Sequence, residues 1–207
     1  DSDKPRRLKK GETISIVFQL DQIAYRIFKG HKIRLSISNS YWPLLWPTPD
    51  KSEIEIVEGS IEIPVINGSV ENTRNFLPEK TDEPWKTKIL REASNSRKIT
   101  RDIGSDGSIL EIIDDFGLVR DLKHDLEIGS IAREWWSIHP DDPLSAEGKT
   151  HWTEERSRGA WKTRTETYAK MNSDAENFYI YAKLEAYENE ILFFEKEISE
   201  TISRDSH

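Results

Sequence analysis

At 207 residues, with 33% charged side chains, a formal charge of −8 and a mean hydropathy of −0.71, the chain has the size and polarity of one sizeable domain with a wet surface. The acidic balance argues against a nucleic-acid partner, because phosphate binding needs a basic surface. No cysteine is present, which excludes disulfides and thiolate metal sites, and no apolar run approaches the ~20 residues of a membrane span.

Residues 1–11 read as a polar connector that ends at Gly11, with Lys4 to Lys10 as a basic, solvated stretch. The opening looks internal to a longer protein, and no signal-peptide pattern precedes it. From Glu12 to Asp21, Ile14, Ile16, Phe18 and Leu20 recur at a spacing of two on one face, the period of a strand with one buried face. The alternation resumes at Ala24 to Phe28, breaks at Lys29-Gly30-His31, and continues through Ile33, Leu35 and Ile37. Two aromatic-proline units follow, Tyr41-Trp42-Pro43 and Trp46-Pro47, with Pro49 close behind. Prolines at that density forbid a helix or a central strand and predict a stiff loop that carries its tryptophans to a core edge or to another surface. Two short alternating runs, Ile54/Ile56 and Ile61/Ile63, flank Glu58-Gly59-Ser60, which predicts a hairpin or a bulged strand. Residues 66–84 lack periodicity and read as a long surface loop. The Asn67-Gly68-Ser69 triplet within it fits a glycosylation sequon, a match common by chance.

The second half predicts a succession of long strands. Trp85 to Ile103 should turn at Gly104-Ser105-Asp106-Gly107 into Ser108 to Ile113, and Asp114-Asp115-Phe116-Gly117 should turn the chain again. Leu126 to His139 forms the next strand, and a turn follows over His139 to Ala146. Thr150 to Arg158 and Ala160 to Met171 are split at Gly159. A final hairpin pairs Asn177 to Glu188 with Ile191 to Ile198 across Asn189-Glu190. A helix over Ala175 to Glu200 is the competitor, but Phe178, Ile180, Ala182 and Leu184 sit two apart and favour a strand. Aromatic and β-branched residues recur along nearly the whole chain, seven tryptophans among them, which argues against disorder.

Catalytic chemistry is sparse. No Gly-x-Ser-x-Gly elbow occurs, and Ser130 after Gly129 lacks the second glycine. His31 has no adjacent nucleophile, so it reads as a turn-stabilising residue and not a general base. His124-Asp125, and His139 with Asp141 and Asp142, lack the spacing of a metal site, and the acidic pairs Asp114-Asp115 and Asp141-Asp142 read as solvated turns over calcium ligands. No metal, cofactor or catalytic residue is expected. Trp42, Trp46, Trp135 and Trp136 are the remaining signal, either filling the core or an inter-domain contact, or stacking on a sugar or a substrate side chain.

The run Phe28-Lys29-Gly30-His31-Lys32-Ile33-Arg34-Leu35-Ser36-Ile37-Ser38, with Tyr41-Trp42-Pro43 and Trp46-Pro47 after it, resembles the signature of the C-terminal domain of X-Pro dipeptidyl-peptidases. The same domain occurs in cocaine-esterase-like hydrolases and cephalosporin-type acylases. Ile63-Pro64-Val65, the His139 to Ala146 turn and Ile202-Ser203-Arg204-Asp205 match further along, while Lys196-Glu197 departs from an aromatic position of that family. The resemblance implies an all-β jelly-roll β-sandwich of the galactose-binding-like kind, lacking its first strands, with residues 1–207 as one domain. The catalytic α/β-hydrolase domain, which carries the Ser/Asp/His triad, would be absent from this chain. It further implies a non-catalytic role: packing on that hydrolase domain of the same parent and meeting a peptide or ester substrate only indirectly. Tyr41, Trp42 and Trp46 would make the contact, and Gly30, His31, Arg34, Pro43 and Pro47 would form the structural motif. A cytoplasmic location fits a cysteine-free chain, no nucleic-acid or membrane partner is expected, and a homo-oligomer stays open. The alternative is a carbohydrate-binding jelly-roll module, which coplanar exposed tryptophans on one concave face would favour.

Overall fold

The computed structural model describes residues 8–66, 68 and 76–204. The first seven residues of the connector, and Asn67 and Ser69 of the sequon, lie outside them. The described structure is all-β with no helix: β1 (Thr87–Arg91), β2 (Ser94–Arg101), β3 (Ser108–Asp121), β4 (Leu126–His139), β5 (Asp142–Arg158), β6 (Trp161–Ser173), β7 (Asn177–Glu188) and β8 (Ile191–Ser203). All eight are antiparallel and lie in one open sheet of order β1-β3-β4-β5-β6-β7-β8, with β2 also paired to β3. The all-β antiparallel architecture expected from the alternation is therefore present, and its strands form a meander in which most neighbours in sequence are neighbours in space.

Short turns explain the meander. Arg158 pairs with Trp161 across Gly159-Ala160, where Gly159 has φ +59°. Glu188 pairs with Ile191 across Asn189 and Glu190, at φ +49° and +65°. Positive φ in a two-residue connection matches the right-handed twist of the strands it joins. Between β2 and β3, the Asp102 carboxylate accepts from the Gly104 and Ser105 amides at 2.7 and 3.2 Å and shapes the expected turn.

Asp114 to Gly117 does not turn the chain. β3 continues through it with a bulge between Asp115 and Leu118, where Gly117 takes φ +83°. The Asx-like bond from the Gly117 amide to Asp115 Oδ1, 2.8 Å, reproduces turn chemistry locally, while β4 pairs on both sides and holds the strand direction. The bulge divides one edge of β3 between β2, which pairs with Ser108 to Asp115, and β1, which pairs with Leu118 to Asp121. Arg91 fills the junction, donating to Asp115 at 3.2 Å and Glu155 at 2.8 Å.

A larger correction concerns the first half. No described residue from 8 to 86 belongs to a strand, although strands were expected over 12–21, 24–28, 32–38 and 53–65. Their alternating apolar side chains are exposed, with Ile16 at 68% and Ile56 at 62%. Periodicity of two states which face of a segment needs cover, but a strand also needs a neighbour for its backbone groups, and no such ladder forms here.

The register gives the sheet two unlike faces. One carries Leu110, Ile112, Trp136, Ala132, Trp152, Met171, Ile180, Ala182, Leu184 and Ile198, and the other carries Glu111, Arg133, His151, Glu166, Lys170, Lys183 and Glu195. One apolar and one wet face is the normal pattern of an antiparallel layer. Among the described strand residues Ala132 and Ala146 are the only apolar side chains that are buried, so the apolar face is covered over part of its extent only.

Candidate docking site at the proline-rich loop

What covers part of the apolar face is the loop of the two aromatic-proline units. The Leu45 amide donates to the Tyr41 carbonyl at 2.8 Å, closing one helical turn of chain. Residues four apart lie on the same side of such a turn, so Trp42 and Trp46 stand together, ring centroids 5.0 Å apart and 84° inclined. Both face the sheet. Trp42 meets Trp136 of β4 edge-on at 5.7 Å, and Trp46 meets Phe178 of β7 edge-on at 6.1 Å. Trp136 can lie close to the sheet because its partner on β5 is Gly148, where an added Cβ would come within 2.6 Å of the indole.

Hydrogen bonds fix the seat. Trp46 Nε1 donates to Ser173 Oγ at 2.9 Å, and the same oxygen accepts from Arg204 Nη1 at 3.0 Å. Arg204 Nη1 also donates to the Asp174 carbonyl at 2.9 Å, and Nη2 to the Pro47 carbonyl at 2.6 Å. The guanidinium lies 4.7 Å over the Phe178 ring. Arg204 is only 2% exposed, and its burial lowers its pKa against the opposing charges of Asp174 and Asp50. A carbonyl that would otherwise be orphaned beside a proline, which has no amide hydrogen of its own, thus receives a charged donor from 157 residues away.

The residues singled out from the sequence fall into three groups. Trp42, Trp46, Pro43 and Pro47 belong to the docked loop, and the Trp42–Pro43 bond is cis. Tyr41, Leu44 and Leu45 are exposed, at 62%, 71% and 64%. Gly30 and His31 are elsewhere: Gly30 takes φ +89° in a turn closed by the His31 amide on the Phe28 carbonyl at 3.0 Å, with the two rings edge-on at 5.9 Å. Arg34 lies in the exposed segment beyond that turn. Trp135 and Trp136, adjacent in sequence, are on opposite faces, and Trp135 Nε1 donates to Glu111 at 3.1 Å on the wet side.

Sequence reasoning missed the seat, Trp136 as a partner of Trp42, Ser173, Phe178 and Arg204. Spacing rules reach a turn or a hairpin, whereas these contacts are long-range. The available signal was the Ile202 to Asp205 match, which marked Arg204 without saying what it holds.

The wet face carries ion-pair clusters. Glu166 accepts from Thr153 and pairs with His151, both at 2.7 Å, and with Arg164. Burial pushes its carboxyl up, but the bonds from Thr153, His151 and Arg164 outweigh this and hold it below the ordinary value. Lys183 pairs with Glu185 at 2.7 Å and Glu195 at 3.2 Å, which raise its pKa. At the β3–β4 turn, Asp121 is 3% exposed. Burial works to raise its carboxyl, yet bonds from His124, the Lys123 amide and Trp85 bring it to about 2. Among the described residues no group of three His, Cys, Asp or Glu could hold a metal ion. A cavity of about 290 Å³ between the hairpin tips is lined by Arg120, Asp125, Glu127, Ser157, Arg158, Gly159 and Lys162, where Arg120 and Ser157 are already engaged by Glu127. No helix of the described residues is long and apolar enough to cross a membrane.

Residues 1–98 match the family model of the X-Pro dipeptidyl-peptidase C-terminal non-catalytic domain. No curated protein and no solved structure matches the chain significantly. The match contains the whole docked loop and stops inside β2. Over residues 1–98 the chain is similar to the X-Pro dipeptidyl-peptidase C-terminal non-catalytic domains.

Proposed function

We propose that the chain acts as a non-catalytic accessory domain of a serine hydrolase, packing on an α/β-hydrolase domain of the same parent and shaping substrate access to its active site. The family match over residues 1–98 supports the reading. So does the loop of Trp42 to Pro47, a preformed apolar element held on the sheet at several points. The parent chemistry would be amide or ester cleavage through an acyl-enzyme whose nucleophile lies in the other domain.

The test is hydrolysis of Ala-Pro-p-nitroanilide and p-nitrophenyl butyrate by the purified chain, alone and mixed with the parent's separately made hydrolase domain. Activity raised only in the mixture is the expected result. Turnover by the chain alone would sink the reading. Sugar binding gains no support from the tryptophans, because Trp42, Trp46 and Trp136 meet at 82–84° and present no coplanar platform.

A further inference from the structure

Among the described residues β8 pairs with β7 on one side and with no strand on the other, and all 13 of its residues are exposed. Such an edge presents a row of backbone donors and acceptors to any extended chain. The register with β7 puts Phe194, Lys196, Ile198, Glu200 and Ile202 on the apolar face, opposite Ala186, Leu184, Ala182, Ile180 and Phe178. Two charges therefore stand in that face, Lys196 beside Leu184 and Glu200 beside Ile180, and neither has an ion-pair partner among the described residues. The strand at the other side of the sheet differs: Arg97, Lys98 and Arg101 of β2 pair with Asp114, Glu111 and Asp106.

Charges turned inward on an edge strand guard against indiscriminate pairing. They admit a strand that brings opposite charges to the same positions, and β8 itself is such a strand. Laid antiparallel to a second copy about a two-fold axis at Ile198, Lys196 faces Glu200 of the second copy and Glu200 faces its Lys196. Phe194 and Ile202 face each other in the same reciprocal way, and Ile198 meets Ile198. On the wet face Glu195 comes opposite Thr201 and Glu197 opposite Ser199, hydroxyls able to donate to the carboxylates. Moving the axis one residue back sets Glu197 against Glu197. Moving it one residue on sets Ile198 against Glu200 and Lys196 against Ile202. An axis between residues would lay the apolar face of one copy on the wet side of the other. The one irregularity in the β7–β8 ladder falls between Ala186 and Tyr187, before Phe194, so the stretch that must pair is regular.

We infer that β8 is a homodimerisation edge, through which two copies join antiparallel over Phe194 to Ile202 into one continuous sheet. The occupant follows from charge complementarity and from the self-complementarity that a two-fold interface demands. Lys196 and Glu200 set the register and the choice of partner, while Phe194, Ile198 and Ile202 gain cover. The inference stands independently of the accessory-domain reading.

The experiment is sedimentation of the purified 207-residue chain over a concentration series, beside Lys196→Glu, Glu200→Lys and a one-to-one mixture of these two variants. The unaltered chain should dimerise. Each variant alone puts two like-charge pairs into the interface and should bind itself about 30-fold more weakly. The mixture joins an acidic edge to a basic one and should recover the dimer, which a variant with a damaged strand could not do. Because the chain has no cysteine, Ile198→Cys reports the axis: directly opposed Cβ atoms lie ~4.5–5.5 Å apart, so oxidation should link two copies, and Glu195→Cys should not. A chain that is monomeric at every concentration would overturn the inference. So would dimers that neither charge reversal weakens, or a mixture that stays monomeric.

Discussion

The part of the molecule that carries the family signature and the part that builds the sheet scarcely overlap. The family match extends over residues 1–98, whereas strands occupy residues 87–203. The first region supplies one rigid feature, the docked loop, between long segments without strand partners. The second supplies a continuous ladder with an apolar face, and that face is the seat on which the loop is fixed. Family recognition follows residues whose identity is demanded by a contact, here glycine, proline and tryptophan at fixed spacing. A meander held by backbone bonds asks only for alternation, which many sequences satisfy.

If the seat joins the two regions, Arg204 is where the join is most easily broken. Arg204→Ala removes three donated hydrogen bonds to buried or half-buried oxygens and should cost about 3 kcal/mol in urea unfolding, with Arg204→Lys recovering only part. A loss below a few tenths would show that the halves do not depend on this contact. Trp42→Ala and Trp46→Ala should each cost about 2–3 kcal/mol. Because the rings touch, the double variant should cost less than the sum by about 1 kcal/mol; strict additivity would mean the pair does not act as a unit. Gly148→Ala reaches the loop indirectly, since its Cβ would displace Trp136, and a cost of about 2 kcal/mol with a red shift in tryptophan emission is expected. An unchanged spectrum would place Trp136 outside the seat.

Acid should act on the sheet. Asp121 has an ordinary value of 3.8 and titrates at about 2 when folded, so the folded state binds its proton less readily than the unfolded chain. Its contribution is complete above about pH 4 and is lost as pH falls toward 2. Glu127, Glu147, Glu166 and Glu185 are shifted in the same direction. Thermal melts between pH 5 and 2 should therefore show Tm falling steadily, less steeply in Asp121→Asn, and parallel curves would count against the assigned role of Asp121. The smallest effect concerns a turn. Glu190 at φ +65° pays a left-handed strain, and Glu190→Gly should stabilise by about 0.5 kcal/mol after loss of its exposed pair with Arg164.

Strand boundaries in the second half were legible because each rests on local chemistry. Asn189-Glu190 and Gly159 mark turns, and Leu126 to His139 is bounded by residues that read as punctuation. Asp114 to Gly117 misled because an Asx bond with a following glycine shapes both a turn and a bulge, and only the partner strand decides between them. The segments 12–21 and 32–38 misled differently, since their alternation marks an apolar face but their backbone groups pair in no ladder among the described residues. Of the candidate site, the loop and its stiffness could be read from Pro43, Pro47 and Pro49. Which way the tryptophans turned could not, because the answer is held by Gly148, Ser173, Phe178 and Arg204.

The Pro47–Arg204 contact also orders events in time. Arg204 follows every strand, so a ribosome delivers the loop first and its clamp last. At the usual ~5–20 residues per second, the 157 residues between them take roughly 8–30 s to emerge. Trp42 waits for Trp136 of β4, Trp46 for Ser173 and Phe178, and the Pro47 carbonyl for Arg204. The loop's seat is completed only at the end of that interval, which makes the nascent chain a natural client for a holding chaperone. Synonymous changes that slow translation of β6 to β8 should lengthen that dependence while leaving the finished protein unaltered.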